Sequence, residues 1–589
     1  MSRTLPPACR PGRTAGLLAS LAFTLAMSAA GAKPPVADST PARLPTPAEE
    51  AALRERLRAE SLDALAGGGG AAIAGERAAL RAVGQSPDDP VAVAAWRANE
   101  AEREGPAVNA AGDFMLDTRW GNAGIAPDRY AGSNDGTYRG IQSAMLPGGV
   151  QVVVGEVQYP GGNRQLGITK RDTSGTRIAW SGVAPPYSAY GGQYILWPFN
   201  DAAAPDVFAV HDVRVRSSRI YALVTGHLTS PQTFAPVVVC FEADGASCGW
   251  WYAYHSPESG VNDAVAMDVL GDRLVVLGRH SLGETGGFWT VKWTIAADGS
   301  LTNATFGNFP TPAGHTRAEP VDIAFRRVGL LPPANPGYYV LYTRKYDSDP
   351  ASLDYDPCVL AVTAAHAPDT SFPLSTDGVR CKPFDRPDSD KTDRAIALST
   401  NGWQDFAPIT VHEGVQVLVS VARSNRPGIG VWSLLDRVDQ SSFGIPGADE
   451  HGLGGGRVLF GGCGAGVGEG CSVLPPIGHN AHVPKDLAIV GDDIAVVGYR
   501  RGPGFVIGAD DIDAPLFARV DRGSGALRQL ATFPSGYSQG RFNAIGVRDT
   551  SHVVGVGEAI DASIATTTAR TQIHVGLTSD DTIFRDGFD

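Results

Sequence analysis

The chain has 589 residues, of which 43% are hydrophobic and 19% charged, so it can bury a large core. The abundance of Gly (72) and Pro (42) beside this apolar fraction predicts many turns between short strands and argues against a disordered chain. A formal net charge of −13 repels phosphate backbones, so nucleic acid is excluded as the expected partner.

Residues 1–32 have the layout of a secretory signal peptide. Arg3, Arg10 and Arg13 precede an apolar stretch over 16–27, and the small residues of 30–32 follow as a cleavage site. No later stretch approaches the roughly 18–20 apolar residues that cross a bilayer, so no membrane span is expected. The protein is therefore predicted to be secreted or periplasmic, with association to the cell surface left open.

The next segment is Pro- and Ala-rich over 33–45 and predicts a flexible leader, and a helical extension is predicted over 46–104. Thr46 is placed to cap a helix, with Glu49 three residues later. Leucines at helical spacing follow, and the four glycines of 67–70 end that helix. The sequence leaves open whether this extension packs on the main domain or forms a loose stalk.

From about Asp113 the chain repeats a pair of apolar runs, and a turn usually follows the second run. The first runs are Val150–Gly155, Ile220–Gly226, Leu274–Gly278, Tyr338–Thr343, Val415–Ser420, Ile494–Gly498 and His552–Gly557. The second runs are Leu166–Lys170, Pro236–Phe241, Phe288–Trp293, Cys358–Thr363, Val431–Leu435, Leu516–Val520 and Ile573–Leu577.

The spacing of these runs predicts the fold class. Gly155 and Gly557 are 402 residues apart over six intervals, or 67 residues per repeat, which fits a four-stranded sheet with long loops. The first runs are almost continuously apolar, as strands are when both faces are covered. We therefore predict an all-β protein, a β-propeller of seven four-stranded blades over 113–580, with six or eight blades as the alternatives because the fourth and fifth repeats are degenerate.

The repeats also predict how the ring closes. Leu116–Gly121 is similar to the back end of a repeat that has no front end, whereas little chain remains after Ile573–Leu577 to finish the last repeat. The N-terminal piece is therefore expected to complete the last blade, which pairs strand edges that would otherwise be exposed.

The repeats resemble those of the delta-60 repeat family of bacterial secreted and surface proteins. The similarity is clearest in Gly271–Gly278, in Phe288–Trp293, and in Asp298–Leu301 with Phe306-Gly307 that follow. Leu116–Gly121 is similar to the closing element of such a unit. The resemblance implies a propeller and an extracytoplasmic location, and it supplies no catalytic residues to carry over.

Six cysteines remain after the signal peptide and fall into three close pairs, Cys240 with Cys248, Cys358 with Cys381, and Cys463 with Cys471. An even number in an exported protein favours disulfides, while zinc ligands or free thiols are the alternatives. Each predicted bridge would restrain a local loop rather than hold the ring together.

Metal-ligand candidates are few. Asp347, Asp349, Asp354 and Asp356 share one loop and could bind calcium, but their spacing matches no EF-hand, and a solvated acidic loop is the alternative. Asp510, Asp511 and Asp513 are a weaker group of the same kind. His479 and His482 would need further ligands from elsewhere to hold a metal. No other cofactor is predicted.

Chemical signatures of enzymes are missing from the sequence, which contains no G-x-S-x-G elbow between a predicted strand and a predicted helix and no H-E-x-x-H. This favours a non-catalytic binding or scaffold propeller, a monomer whose partner is an unidentified protein or glycan. The aromatic run at 250–254 could contact such a partner or pack between blades. Two alternatives remain, namely a polysaccharide hydrolase or lyase at the channel mouth and a structural surface protein retained by its tail over 581–589.

Overall fold

The structure is a computed structural model and describes most of the repeat region, residues 113–579. The gaps within that region are 129–136, 159–163, 184–187, 190–191, 199–204, 230–231, 255–261, 281–286, 312–316, 327–334, 346–354, 373–376, 382–391, 401–417, 427–429, 438–456, 461–481, 503–511, 522–526, 534–538 and 561–569. The predicted signal peptide, leader, helical extension and tail lie outside the described residues.

Every regular element of the described region is a strand. In chain order the strands are β1 (Met115–Leu116), β2 (Ile125–Asp128), β3 (Thr137–Leu146), β4 (Val150–Gln158), β5 (Arg164–Arg171), β6 (Ser188–Ala189), β7 (Tyr194–Trp197), β8 (Asp206–Arg216), β9 (Arg219–Thr229), β10 (Gln232–Glu242), β11 (Ser247–Ala253), β12 (Asp263–Leu270), β13 (Arg273–Arg279), β14 (Phe288–Ile295), β15 (Leu301–Phe309), β16 (Arg317–Phe325), β17 (Tyr338–Lys345), β18 (Tyr355–Val362), β19 (Val379–Cys381), β20 (Thr392–Thr400), β21 (Leu418–Arg426), β22 (Gly430–Arg437), β23 (Arg457–Phe460), β24 (His482–Val490), β25 (Asp493–Gly502), β26 (Ile512–Asp521), β27 (Leu527–Thr532), β28 (Gln539–Val547), β29 (His552–Ile560) and β30 (Arg570–Thr578). None of the described residues forms a helix of the length and hydrophobicity that a bilayer crossing needs.

These strands form a β-propeller, as predicted. Within the described region they make six sheets of antiparallel neighbours, and the first strands contact one another in the cyclic order β3, β8, β12, β16, β20, β24, β28 and back to β3. The predicted count of seven separate blades is not confirmed. One sheet has eight strands, because a parallel bridge between Tyr355 and Thr392 joins the group β16–β19 to the group β20–β23.

The apolar runs in the sequence are the second and third strands of their groups. Val150–Gly155 lies in β4 and Leu166–Lys170 lies in β5, and the later pairs follow the same rule. Val152, Val153 and Val154 are all buried although their side chains alternate in direction. A middle strand is buried on both faces because its sheet lies between two neighbours, which explains the continuous apolar pattern.

The N-terminal piece closes the ring, as the sequence predicts. Strands β1 and β2 both pair antiparallel with β30, with Leu116 opposite Leu577 and Asp128 opposite Gln572. Trp120, between the two strands, is buried against the backbone of Gly576, where a Cβ would lie 2.7 Å from the indole. The last sheet is thus built from both ends of the described region.

Two of the three predicted disulfides lie in this region, and both are confirmed. Cys240–Cys248 links β10 to β11 with a Cα–Cα distance of 5.4 Å. Cys358–Cys381 links β18 to β19, where the two residues are directly opposite in register. Each bridge is local to one group of strands. Cys463 and Cys471 lie outside the described residues.

Candidate functional site

The candidate site lies on the upper face, which we define as the face where the first strand of each group begins. Because neighbouring strands are antiparallel, this face also carries the ends of second strands and the starts of third strands. Arg139 of β3, Arg541 of β28 and Arg570 of β30 surround the carboxylate of Glu558 in β29. The three arginines come from both ends of the described chain and meet at the seam where the ring closes.

Two matching Arg–Glu pairs form the frame of this cluster. Arg139 is directly opposite Glu156 across β3 and β4, and Arg541 is directly opposite Glu558 across β28 and β29. Arg139 spans both pairs, with Nη1 3.9 Å from Glu156 Oε1 and Nε 3.1 Å from Glu558 Oε2.

A glycine precedes each glutamate and lets the strands approach. A Cβ on Gly557 would lie 1.8 Å from the carbonyl oxygen of Arg541, and one on Gly155 would lie 2.6 Å from that of Arg139. A side chain at either position would therefore push apart the strands that carry the ion pairs.

Two further residues extend the cluster on either side of the pairs. Arg164, at the start of β5, has Nε 3.8 Å from Glu156 Oε1. The buried carboxylate of Asp513, in β26, accepts from Arg541 Nε. Asp513 was a weak calcium candidate in the sequence, and the structure places it in this arginine cluster instead. A small pocket beside it is lined by Asp513, Gln539, Gly540, Arg541 and Glu558. We call the set Arg139, Glu156, Arg164, Asp513, Arg541, Glu558 and Arg570 the arginine cluster.

Exposure and charge distinguish the two kinds of side chain in the arginine cluster. The Glu558 side chain is 7% exposed, whereas that of Arg139 is 33% exposed and those of Arg541 and Arg570 are similar. Among the described members of the arginine cluster, four arginines face three carboxylates, so this set has a net positive charge on a chain whose net charge is negative. Burial lowers the pKa of Arg570, Glu558 opposes this, and repulsion from Arg139 and Arg541 lowers it further. An additional anion at the open side would relieve that repulsion.

A second cluster, which we call the closure cluster, joins β2 to the first and last sheets. The Asp128 carboxylate lies 2.8 Å from Arg171 Nη2, 2.6 Å from Arg177 Nη2 and 2.8 Å from His574 Nε2. Here the arginines also donate to fixed protein groups, with Arg171 bonded to the Gly175 carbonyl at 2.8 Å and Arg177 to the Gln193 side chain at 2.9 Å. The Asp128 and His574 side chains are fully buried.

Charge pairing decides the protonation of the closure cluster. Burial raises the pKa of Asp128, but Arg171, His574 and Arg177 together outweigh burial and bring that pKa down to about 2. Burial and the nearby Arg171 lower the pKa of His574 to about 4, against the opposing effect of Asp128. Near neutral pH the cluster therefore holds an ionised Asp128 beside a neutral His574, whose Nε2 lies 2.8 Å from the carboxylate.

A third set of carboxylates links the first strands around the central channel. Asp212 accepts from its neighbour Val213 N at 2.7 Å and from Met267 N of the next first strand at 2.9 Å. Asp268 and Asp486 repeat this arrangement, bonding Phe325 N at 2.7 Å and Ile545 N at 3.0 Å. These bonds cross from one group of strands to the next, so the carboxylates act as bridges between blades.

The channel carboxylates have fewer cationic partners than Asp128. Arg214 is the cation beside them, with Nη1 2.6 Å from Asp212 Oδ1 and Nε 3.6 Å from Asp268 Oδ1. Burial raises the pKa of Asp212 to about 6, against the opposing effect of Arg214 and two backbone amides. Burial likewise raises the pKa of Asp486 to about 6. Within the described part of the chain, no group of three or more His, Cys, Asp or Glu side chains is arranged to hold a metal.

The other sequence candidates are not brought together into a site. Asp347, Asp349, Asp354, Asp510, Asp511 and His479 lie outside the described residues. Asp356 lies in β18 opposite Arg344, and His482 begins β24. The aromatic run forms β11 and the residue after it, where Trp250, Tyr252 and Tyr254 pack against one buried cluster and Trp251 packs against another. That packing agrees with the prediction that the run lies between blades.

Sequence reasoning missed both the arginine cluster and the channel carboxylates, although each leaves a signal. In the first and last repeats the apolar run ends in Gly-Glu, at Gly155-Glu156 and Gly557-Glu558, and an arginine precedes each glutamate by 17 residues. The channel carboxylates each precede an apolar residue in the first strand, as in Asp268-Val269 and Asp486-Leu487.

Comparison with known proteins gives no family. No family model matches the chain, and no curated protein matches it. Among solved structures, the polysaccharide lyase Uly1 is 10% identical, with 75% of this chain and 90% of the lyase aligned at a TM-score of 0.39. A GH32 β-fructofuranosidase of Bombyx mori is 12% identical over 79% and 93% of the chains at a TM-score of 0.27. A protein of unknown function from Dyadobacter fermentans is 7% identical, with 77% of this chain and 99% of that protein aligned at a TM-score of 0.35. At these TM-scores the likenesses carry no argument about activity.

Proposed function

We propose that this chain is an exported, non-catalytic propeller that binds a ligand bearing carboxylate or sulfate groups at the arginine cluster. The observation that carries the proposal is the convergence of three part-exposed arginines from β3, β28 and β30 on one buried carboxylate. Guanidinium groups bind carboxylates and other oxyanions through paired N–H donors.

The donors of these arginines support the proposal. Among the residues that the structure describes, no backbone carbonyl accepts from Arg139, Arg541 or Arg570, whereas carbonyls accept from Arg171 in the closure cluster. Glu558 and Glu156 contact the guanidinium groups, whose side chains are 33% exposed in Arg139, 25% in Arg541 and 23% in Arg570. Such a preformed set of donors loses little side-chain entropy when an anion binds.

Export is part of the proposal and is supported by the targeting pattern over 1–32 and the resemblance to the delta-60 family. The two disulfides are typical of an oxidising compartment.

A polysaccharide hydrolase or lyase is the second candidate, favoured by one observation. Glu156 and Glu558 both contact the guanidinium of Arg139, and paired carboxylates on either side of a substrate are what glycosidases use. Both glutamates are ion-paired with arginines. They are therefore better suited to orienting the guanidinium groups than to transferring a proton to a substrate. Release of reducing ends from an acidic polysaccharide would favour this candidate over simple binding.

Calorimetric titration of the purified protein with poly-L-glutamate, polygalacturonate and dextran sulfate tests the binding proposal, with neutral dextran as the uncharged reference. We expect binding of at least one polyanion, no binding of dextran, and weaker binding as salt rises. Arg139→Gln should weaken the binding by roughly tenfold or more, because it removes a charge-assisted contact.

The matched control is Arg528→Gln. Arg528 is also part-exposed and ion-paired, with Asp493 and Asp521, but Asp521 ends β26 whereas Asp513 is near its start. Arg528 therefore lies on the opposite face, and its substitution should leave the affinity unchanged. Failure of all three polyanions to bind, or equal losses in the two variants, would reject the proposal.

A further inference from the structure

An exposed phenylalanine adjoins the arginine cluster. Phe208, in the upper half of β8, has 45% of its surface exposed. Its two sequence neighbours on the strand, Val207 and Ala209, are buried and half-buried, so the ring stands out on the solvent side. An exposed apolar side chain is ordinary by itself, and its surroundings decide whether it has a role.

Contacts on two sides fix the position of the Phe208 ring. Its centroid lies 4.7 Å from that of Phe234 with the planes tilted by 60°, and Phe234 in turn contacts His227 at 5.1 Å. On the other side the Arg164 guanidinium lies 5.6 Å from the Phe208 centroid, within the range of a cation–π contact. A ring held in this way loses little freedom when a ligand packs on it.

Arg164 connects this ring to the arginine cluster. It donates from Nη1 to the Phe208 carbonyl at 2.7 Å, and its Nε lies 3.8 Å from Glu156 Oε1. Glu156 is also 3.9 Å from Arg139. An apolar platform and a cationic row therefore lie side by side on the upper face.

We infer that the ligand is an acidic polysaccharide, with a sugar ring packed on Phe208 and its carboxylate or sulfate bound by Arg164 and Arg139; this rests on the proposed function. The C–H face of a sugar ring packs well on an aromatic ring, and a planar guanidinium beside that ring can bind the acidic substituent of the same residue. An acidic peptide would satisfy the arginines but would have no repeating ring for Phe208.

The experiment compares Phe208→Ala with wild type against polygalacturonate, dextran sulfate and poly-L-glutamate. We expect Phe208→Ala to weaken binding of at least one of the polysaccharides by roughly tenfold, and binding of poly-L-glutamate by less than about twofold. Phe208→Trp, which keeps an aromatic face, should retain polysaccharide binding and shows that the position tolerates change.

Phe306→Ala is the matched control. Phe306 is 42% exposed but lies in the outer strand β15, stacked on Tyr254 at 4.9 Å. Its removal should leave all affinities unchanged. The inference is overturned if Phe208→Ala leaves both polysaccharide affinities within about twofold of wild type, or if it weakens poly-L-glutamate equally, or if wild type binds only poly-L-glutamate. If Arg139→Gln still weakens binding by roughly tenfold or more in those cases, the proposed anion site stands and only the choice of ligand fails.

Discussion

The closure cluster and the arginine cluster use the same groups at the same seam of the ring, yet they differ in access to water. In each, two or more arginines surround one buried carboxylate, Asp128 or Glu558. The Arg171 side chain is 5% exposed and donates to two protein carbonyls, and that of Arg177 is 27% exposed, whereas Arg139 is 33% exposed and contacts carboxylates alone among the described groups.

This difference indicates which cluster contributes most to folding stability and which contributes most to ligand binding. A buried charge cluster strongly resists loss of one member, because the remaining charges stay in a medium of low dielectric constant. An ion pair that water can reach contributes little to folding, since screening weakens it and ordered side chains lose entropy. The closure cluster should therefore determine stability, and the arginine cluster should determine ligand affinity.

The largest effect is expected for Asp128→Asn. The substitution leaves the buried Arg171 and the part-exposed Arg177 without their fully buried carboxylate partner, and the free energy of unfolding should fall by about 3–5 kcal/mol. Denaturant titration at neutral pH measures it, with Asp206→Asn, at an exposed position of β8, as the control. A loss of stability no larger than that of the control would contradict the claim that the closure cluster determines stability.

A smaller loss is expected when the Cys358–Cys381 bridge is removed. The double variant Cys358→Ser, Cys381→Ser should lower the free energy of unfolding by about 2–3 kcal/mol, because the bridge closes a loop of only 23 residues. Wild type and variant can be compared in the same denaturant titration. A loss above that of Asp128→Asn would mean that local cross-links, rather than ring closure, dominate stability.

The contribution of the channel carboxylates to stability should depend on pH. The pKa of Asp486 is raised to about 6 in the fold, so the folded state takes up a proton before the unfolded state does as pH falls through 6. The advantage of wild type over Asp486→Asn should therefore grow by about 1 kcal/mol between pH 8 and pH 5. Asp212 and Arg214, which face the same channel, are unchanged in both proteins.

Asp128 should show the opposite trend. Its pKa of about 2 lies below the ordinary value, so its contribution is complete above about pH 4 and is lost as pH falls toward 2. Compared in a His574→Gln background, so that the imidazole with a pKa of about 4 does not titrate in the same range, the advantage of Asp128 over the Asp128→Asn change should shrink by about 1 kcal/mol between pH 5 and pH 3. Denaturant titrations of each pair at the stated pH values test both trends, and equal slopes for the two variants would contradict the account of charge pairing.

The parts of the fold that the sequence predicted are those whose residues carry a local signal. The second and third strands, such as β4 and β5, appear as continuous apolar runs because sheets cover both faces. The first strands were missed because a bulge interrupts each one and polar residues such as His211 and Asp212 occupy it. The arginine cluster was missed because Arg139 and Glu558 meet only when the ring closes, and no local pattern encodes that contact.

The most direct test of the account measures two quantities on the same preparations of wild type, Asp128→Asn and Arg139→Gln. These are the free energy of unfolding and the affinity for the polyanion that wild type binds best. Asp128→Asn should lose about 3–5 kcal/mol of stability and, at a temperature where it is folded, keep its affinity. Arg139→Gln should lose less than about 1 kcal/mol of stability and roughly tenfold or more in affinity. The reverse pattern, or variants that lose stability and affinity in parallel, would contradict the assignment of stability to the closure cluster and of ligand binding to the arginine cluster.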